Sequence, residues 1–251
     1  MRVIIRDTAD EASRLAAQQI IDGFTPPGRL GVATGSTPLP VYRYLREAYA
    51  RGEFTLHGST AWALDEYVGI DEEHPERYRN VLLHELVGNG GTGLAADDLK
   101  TPDGKAEDPV KAARIYDELI GPGVDIQILG LGSNGHIGFN EPFDSLTSRT
   151  HVGLLTGTTR QDNARFFDGD IEQVPEYCVT QGLATIMTAK SVVLLAFGER
   201  KAEPVAHIVE GAVSQRWPGS ILQLHDDVTV YLDESAASQL EFIDSFKKFH
   251  S

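Results

Sequence analysis

Apolar and polar positions change period along this chain, and each change marks an element. Residues 2–6, "RVIIR", read as a short strand. Residues 8–24, "TADEASRLAAQQIIDGF", carry apolar positions at helical spacing behind Thr8, a plausible cap. "RLGVATG" (29–35) is a strand ending on glycine, and "PLPVYRYLREAYARG" (38–52) is a helix closed by Gly52. An apolar run, "STAWALDEYVG" (59–69), ends in acids. Helices are predicted over "RYRNVLLHELVG" (77–88) and "DPVKAARIYDELIG" (108–121), then a strand over "VDIQILGLG" (124–132). A buried strand, "SVVLLAF" (191–197), precedes a helix, "KAEPVAHIVEGAV" (201–213). A late strand, "DVTVYLD" (227–233), precedes a terminal helix, "SAASQLEFIDSFKKF" (235–249).

Strands alternating with helices predict an α/β fold: an open, mainly parallel, doubly wound (Rossmann-like) sheet with helices on both faces. Near-continuous apolar strands such as "VVLLAF" suit burial on both sides. The Gly- and Asp-rich stretch 88–108 reads as a surface loop, and the less regular stretch 145–186 as an insertion over the sheet. With no internal repeat or low-complexity linker, the expectation is one catalytic domain over residues 1–251.

Composition narrows the function classes. The formal net charge is −15, which repels nucleic acid and anionic lipid, so any anionic ligand needs locally supplied cations. No apolar stretch is long enough to span a bilayer. The N-terminal residues lack the apolar core and cleavage site of a secretory signal, and the single cysteine, Cys178, permits no internal disulfide. A cytoplasmic location is expected. Cys178 itself reads as a small core hydrophobe.

Ligands of open α/β sheets bind outside the carboxyl ends of the strands. Three predicted strand ends carry suggestive chemistry. "ATGSTP" (33–38) offers Gly35 for close approach and Ser36 and Thr37 as donors to a phosphate, beside the N-terminus of a helix. It is neither a Walker loop nor the dinucleotide fingerprint, and a simple capped helix start would look alike. "LDEYVG" (64–69) places Asp65 and Glu66 side by side; in extended chain they face opposite ways, so at most one points into a site. "GLGSNGHIGFNEP" (130–142) holds His136 and Glu141. A carboxylate hydrogen-bonded to that imidazole would fix its tautomer and raise its pKa. No serine or cysteine nucleophile motif accompanies the pair, and no metal-ligand spacing appears. Arg165 and Lys201 stand out as cations, Lys201 because a lysine near a helix N-terminus is misplaced unless an anion sits there.

These blocks, together with "SRT", "TTRQDNARFF", "TQGLATIMTAKSVVLLAFGERKA" and "GSILQLH", resemble the glucosamine-6-phosphate deaminase family in order and spacing over nearly the whole chain. The resemblance implies conversion of D-glucosamine 6-phosphate and water to D-fructose 6-phosphate and ammonia, with no metal or organic cofactor. Asp65 then matches the general base that moves a proton between C2 and C1. His136 matches the residue assisting pyranose ring opening, and Glu141 its charged partner. Asn134 stands where some members carry aspartate, which leaves one carboxylate in the relay and implies a lower His136 pKa than an aspartate version. Gly35, Ser36, Thr37, Arg165 and Lys201 match phosphate-binding positions. Segment 145–186 matches the family's mobile lid. Glu66 takes no assigned role.

The allosteric enzymes of the family carry a basic pair just after "SRT" that binds N-acetylglucosamine 6-phosphate. Here those positions are His151 and Gly153, and Asp144 replaces a small hydroxyl residue, so the resemblance implies a non-allosteric enzyme, monomeric or a small homo-oligomer. The alternatives are a deaminase for another amino-sugar phosphate such as galactosamine 6-phosphate, a 6-phosphogluconolactonase, and a non-catalytic sugar-phosphate sensor.

Overall fold

The computed structural model describes residues 1–87 and 90–249. In chain order the elements are β1 (Arg2–Arg6), α1 (Ala9–Gly23), β2 (Arg29–Val32), α2 (Leu39–Ala50), β3 (Thr60–Ala63), β4 (Asp65–Tyr67) and α3 (Tyr78–Leu86). There follow β5 (Leu99–Lys100), α4 (Pro109–Ile120), β6 (Ile126–Gly130), β7 (His151–Leu154), α5 (Gly157–Asn163), β8 (Tyr177–Thr180) and α6 (Leu183–Ile186). The chain ends through β9 (Ser191–Ala196), α7 (Ala202–Val209), β10 (Val228–Asp233), α8 (Glu234–Ala237) and α9 (Ile243–Phe249).

Seven strands form one sheet in the order β1-β10-β9-β6-β2-β3-β5, and every neighbouring pair is parallel. The alternation of side chains along each strand feeds two apolar layers. Ile126, Ile128, Val193 and Leu195 pack with α1, α2 and α3, whereas Leu129, Val192 and Leu194 pack with α4, α7 and α8. Helices therefore cover both faces, as the buried strands required. Thr8 caps α1 by accepting from the Glu11 amide at 3.2 Å, worth about 1 kcal/mol.

Four expectations need correction. The run 59–69 is two strands, not one. At Leu64 the amide still bonds Val32 of the large sheet (3.1 Å), but the carbonyl accepts from Gln181 (2.7 Å), and β4 joins a second sheet. Segment 145–186 is more regular than its composition suggests: β7 and β8 pair antiparallel with β4 in a three-stranded sheet. That sheet has its own apolar cluster, including Tyr67, Phe139, Phe167 and a fully buried Cys178. In stretch 88–108, Gly88 and Asn89 lie outside the described residues; the remainder is not all surface loop, because Leu94 and Leu99 are buried and β5 forms the seventh strand. Finally, the terminal helix is broken. The Glu241 and Phe242 amides donate to the Glu210 carboxylate (both 2.8 Å), a side-chain partner that competes with a continuous helical ladder. No helix among the described residues is long and apolar enough to cross a membrane.

Candidate active site

The carboxyl ends of β2, β3, β6 and β9 open into one cleft of about 340 Å³, roofed by α5 and the 3₁₀ turn Ala164–Phe166 that continues it. This volume lies at the small end of ligand pockets (roughly 300–1,000 Å³). Of the residues singled out from the sequence, Gly35, Ser36, Thr37, Asp65, His136, Arg165 and Lys201 all line it. Asn134 and Glu141 do not line it but stand behind His136.

Asp65 opens β4, immediately after the chain leaves the large sheet. Its side chain is buried, and among the described residues nothing hydrogen-bonds its carboxylate. Burial, with the charge of Glu66 adding, pushes its pKa up to about 8. Glu66 points the other way, as pleating requires. Its carboxylate accepts from the amides of Tyr67, Tyr78 and Arg79, each at 3.0 Å, and so caps α3, whose own N-cap residue, Arg77, makes no side-chain cap. Glu66 thus holds structure, a role invisible in the sequence because its partners lie in a later helix.

The relay behind His136 differs from the expected direct pair. Asn134 Nδ2 donates to Glu141 Oε2 at 2.6 Å, and His136 Nδ1 lies 2.8 Å from Asn134 Oδ1. Glu141 Oε2 is 3.8 Å from the imidazole, too far for a hydrogen bond. A carboxylate only accepts, so the Asn134 amide must turn its NH₂ toward Glu141 and its oxygen toward the ring. That orientation places the His136 proton on Nδ1 and leaves Nε2 as an acceptor. Burial lowers the His136 pKa below its ordinary value, against the opposing field of Glu141, so the expected net rise does not occur. Glu141 is held in turn by the Thr156 amide and hydroxyl, both at 3.2 Å. Gly132 is required here: a Cβ would stand 2.4 Å from the imidazole ring.

At the opposite end, Gly35 adopts φ +84°, which lets the Thr34–Thr37 backbone turn into the cleft before α2. Arg165 lies over the Phe166 ring at 4.7 Å and reaches 3.5 Å from Ser36 Oγ. Lys201 is the N-cap residue of α7, and burial, with the charges of Arg165 and Arg200 adding, lowers its pKa. No carboxylate forms an ion pair with Arg165 or Lys201 among the described residues. Sequence reasoning missed Ser133, Thr156, Thr159 and Asp162; the "TGTT" N-cap pattern at 156–159 was the available signal for two of them. Outside the cleft, His151 Nε2 lies 3.7 Å from Asp144 Oδ2, which raises the His151 pKa, so two of the three substituted positions contact each other. Among the described residues, no group of three or more His, Cys, Asp or Glu could hold a metal ion.

The arrangement brings together in one cavity a buried carboxylate of raised pKa, an imidazole whose Nε2 has no hydrogen-bond partner among the described residues, and two cations beside a glycine-bearing turn. Relatives share the whole chain. A glucosamine-6-phosphate deaminase of Beutenbergia cavernae is 49% identical, the match covering 100% of this chain and 97% of that protein. One from Mycolicibacterium smegmatis is 47% identical, covering 99% and 96%. The solved structure of a monomeric glucosamine-6-phosphate deaminase superposes with a TM-score of 0.91 at 39% identity, covering 95% of this chain and 100% of that one. A 6-phosphogluconolactonase from Trypanosoma cruzi shares the fold, with a TM-score of 0.76 at 22% identity over 96% of this chain and 97% of that one. Residues 5–231 match the family of glucosamine-6-phosphate isomerases and 6-phosphogluconolactonases, and the chain belongs to that family.

Proposed function

We propose that the chain is a glucosamine-6-phosphate deaminase, converting D-glucosamine 6-phosphate and water to D-fructose 6-phosphate and ammonia. The observation that carries this reading is the placement of Asp65 and His136 in one cleft with two cations, Arg165 and Lys201, that no carboxylate ion-pairs among the described residues. The phosphate binds Gly35, Ser36, Thr37, Arg165 and Lys201, which fixes C1 and C2 against the proton-transfer groups. Neutral His136 accepts the anomeric hydroxyl proton at Nε2 and returns it to the ring oxygen, opening the pyranose. Asn134 and Glu141 hold the tautomer that makes this possible. The Asp65 carboxylate removes the C2 proton and delivers it to C1 through an enolamine. Water then adds to the imine at C2 and ammonia leaves. No step requires a cofactor.

Residues 1–251 act as one catalytic unit in this reading, with 145–186 as a lid that carries Arg165 onto bound phosphate. The enzyme is non-allosteric, because Asp144, His151 and Gly153 offer an anionic effector no basic pair. A sigmoidal substrate curve rendered hyperbolic by N-acetylglucosamine 6-phosphate would overturn this. The charge of −15 and the metabolic nature of the relatives support a cytoplasmic enzyme that binds neither nucleic acid nor membrane. The likeness to a monomeric deaminase supports a monomer or small homo-oligomer, which sedimentation tests. The decisive assay is ammonia release from glucosamine 6-phosphate against galactosamine 6-phosphate, in wild type and Asp65→Asn. Absence of release from both substrates by wild type would end the proposal.

A further inference from the structure

Asp162 and Glu199 line the cleft without a place in the chemistry above, and Asp162 is the one set on its roof. Asp162 sits on α5 between two residues that mark the ends of the cavity, and all three line it. Thr159, three positions before it, brings its hydroxyl to 3.4 Å from His136 Nδ1. Arg165, three positions after it, reaches 3.5 Å from Ser36 Oγ in the phosphate cradle. Residues three apart share a helix face, and a rise of about 1.5–2 Å per residue puts roughly 4.5–6 Å between successive members of this row. Asp162 therefore stands midway along the cleft. Its charge acts on both His136 and Lys201.

Across the cavity, Ser133 Oγ donates to Asp162 Oδ2 at 2.5 Å. Oδ1 makes no hydrogen bond among the described residues. A negative charge in a cleft that binds a phosphate works against binding, so it needs a compensating contact in the bound state. A carboxylate is an acceptor with several lone-pair sites, matched to hydroxyl donors. We propose that Asp162 accepts hydrogen bonds from the hydroxyls midway along the substrate, those on C3 and C4, and with Ser133 weighs on the configuration tolerated at C4. The proposal rests on the deaminase reading and deepens it. A group built to meet a hydroxyl discriminates strongly against the analogue lacking it, because the acceptor is then left unpaired.

The test measures ammonia release from glucosamine 6-phosphate, its 3-deoxy and 4-deoxy analogues and galactosamine 6-phosphate, in wild type, Asp162→Ala and Ser133→Ala. Wild type should favour glucosamine 6-phosphate over at least one deoxy analogue by about 10²-fold in kcat/KM. Asp162→Ala should lose about 10²-fold on glucosamine 6-phosphate, change less than about threefold on that deoxy analogue, and narrow the ratio between the two epimers. Ser133→Ala should lose only a few-fold. An equal loss across all four substrates in Asp162→Ala would overturn the proposal, as would Ser133→Ala reproducing the Asp162→Ala losses, since Asp162 would then merely latch α5 to the loop. If wild type releases ammonia from none of the substrates, the deaminase reading fails and carries this proposal with it.

Discussion

The two walls of the cleft are built by different means. One wall consists of strand ends of the seven-stranded parallel sheet together with Asp65, which follows β3 directly and opens β4 of the three-stranded sheet, and the other is the α5 segment that follows β7. On the first wall, Asp65 is buried, and the loop bearing His136 is tied by backbone bonds, Gly132 to His136 at 2.9 Å and Gly219 to Gly135 at 2.8 Å. The second wall meets the first through side chains: Thr156 to Glu141, Ser133 to Asp162, Arg165 to Ser36. Arg165 itself is exposed. Backbone ladders hold groups in fixed register, whereas side-chain contacts can part and re-form. In the proposed reading, proton transfer, which tolerates little misplacement, falls to the rigid wall, and Arg165 is the phosphate contact carried by the wall that can separate.

The sharpest challenge to this division is Asp65→Asn. The amide keeps the shape and removes the base, so kcat for ammonia release should fall about 10²–10⁴-fold. Retention of a tenth of wild-type turnover would take Asp65 out of the chemistry. The same variant should be more stable. Folded Asp65 keeps its proton up to about pH 8, while the unfolded chain loses it near 3.8. Between those values the unfolded chain binds fewer protons, so stability falls as pH rises, and the amide removes that loss. At pH 7 the gain in urea unfolding should be about 2 kcal/mol or more. For wild type, kcat/KM should fall about tenfold per pH unit below about pH 8, because only the ionised carboxylate is a base. A flat profile from pH 6 to 8 would contradict the raised pKa.

Gly132→Ala tests the rigid wall at its closest approach. The added Cβ would meet the imidazole at 2.4 Å and push the ring off its axis. Turnover should drop about 10²-fold with KM little changed. Arg165→Ala tests the other wall, and its signature should be the reverse: KM up about tenfold, kcat changed less, and inhibition by inorganic phosphate weakened. An unchanged KM would remove Arg165 from phosphate capture.

The smallest catalytic effect should come from Glu66→Gln, one residue from the proposed base. Losing a charged cap on α3 should cost about 1–2 kcal/mol of stability, while kcat stays within a few-fold. A catalytic loss comparable with that of Asp65→Asn would mean that both carboxylates serve the reaction.

Much of this was legible along the chain. Apolar periodicity gave the large sheet's main strands and their helices, because a strand buried on both faces must be apolar throughout. Local chemistry marked the glycine, hydroxyl and acid clusters at the strand ends. The rest depended on partners distant in sequence. Leu64 divides two sheets because Gln181 takes its carbonyl, and Gln181 also donates to Ala63, 118 positions away. Asn134 separates His136 from Glu141 because three side chains meet in one geometry that spacing alone does not choose. Glu66 became a cap because α3 folds back onto it. Sequence determined the large sheet's main strands, most of the helices and the chemistry available at their ends, since periodicity and turn residues act over a few positions. Only the tertiary structure decided which of those groups face one another, since that follows from how the sheets and helices pack.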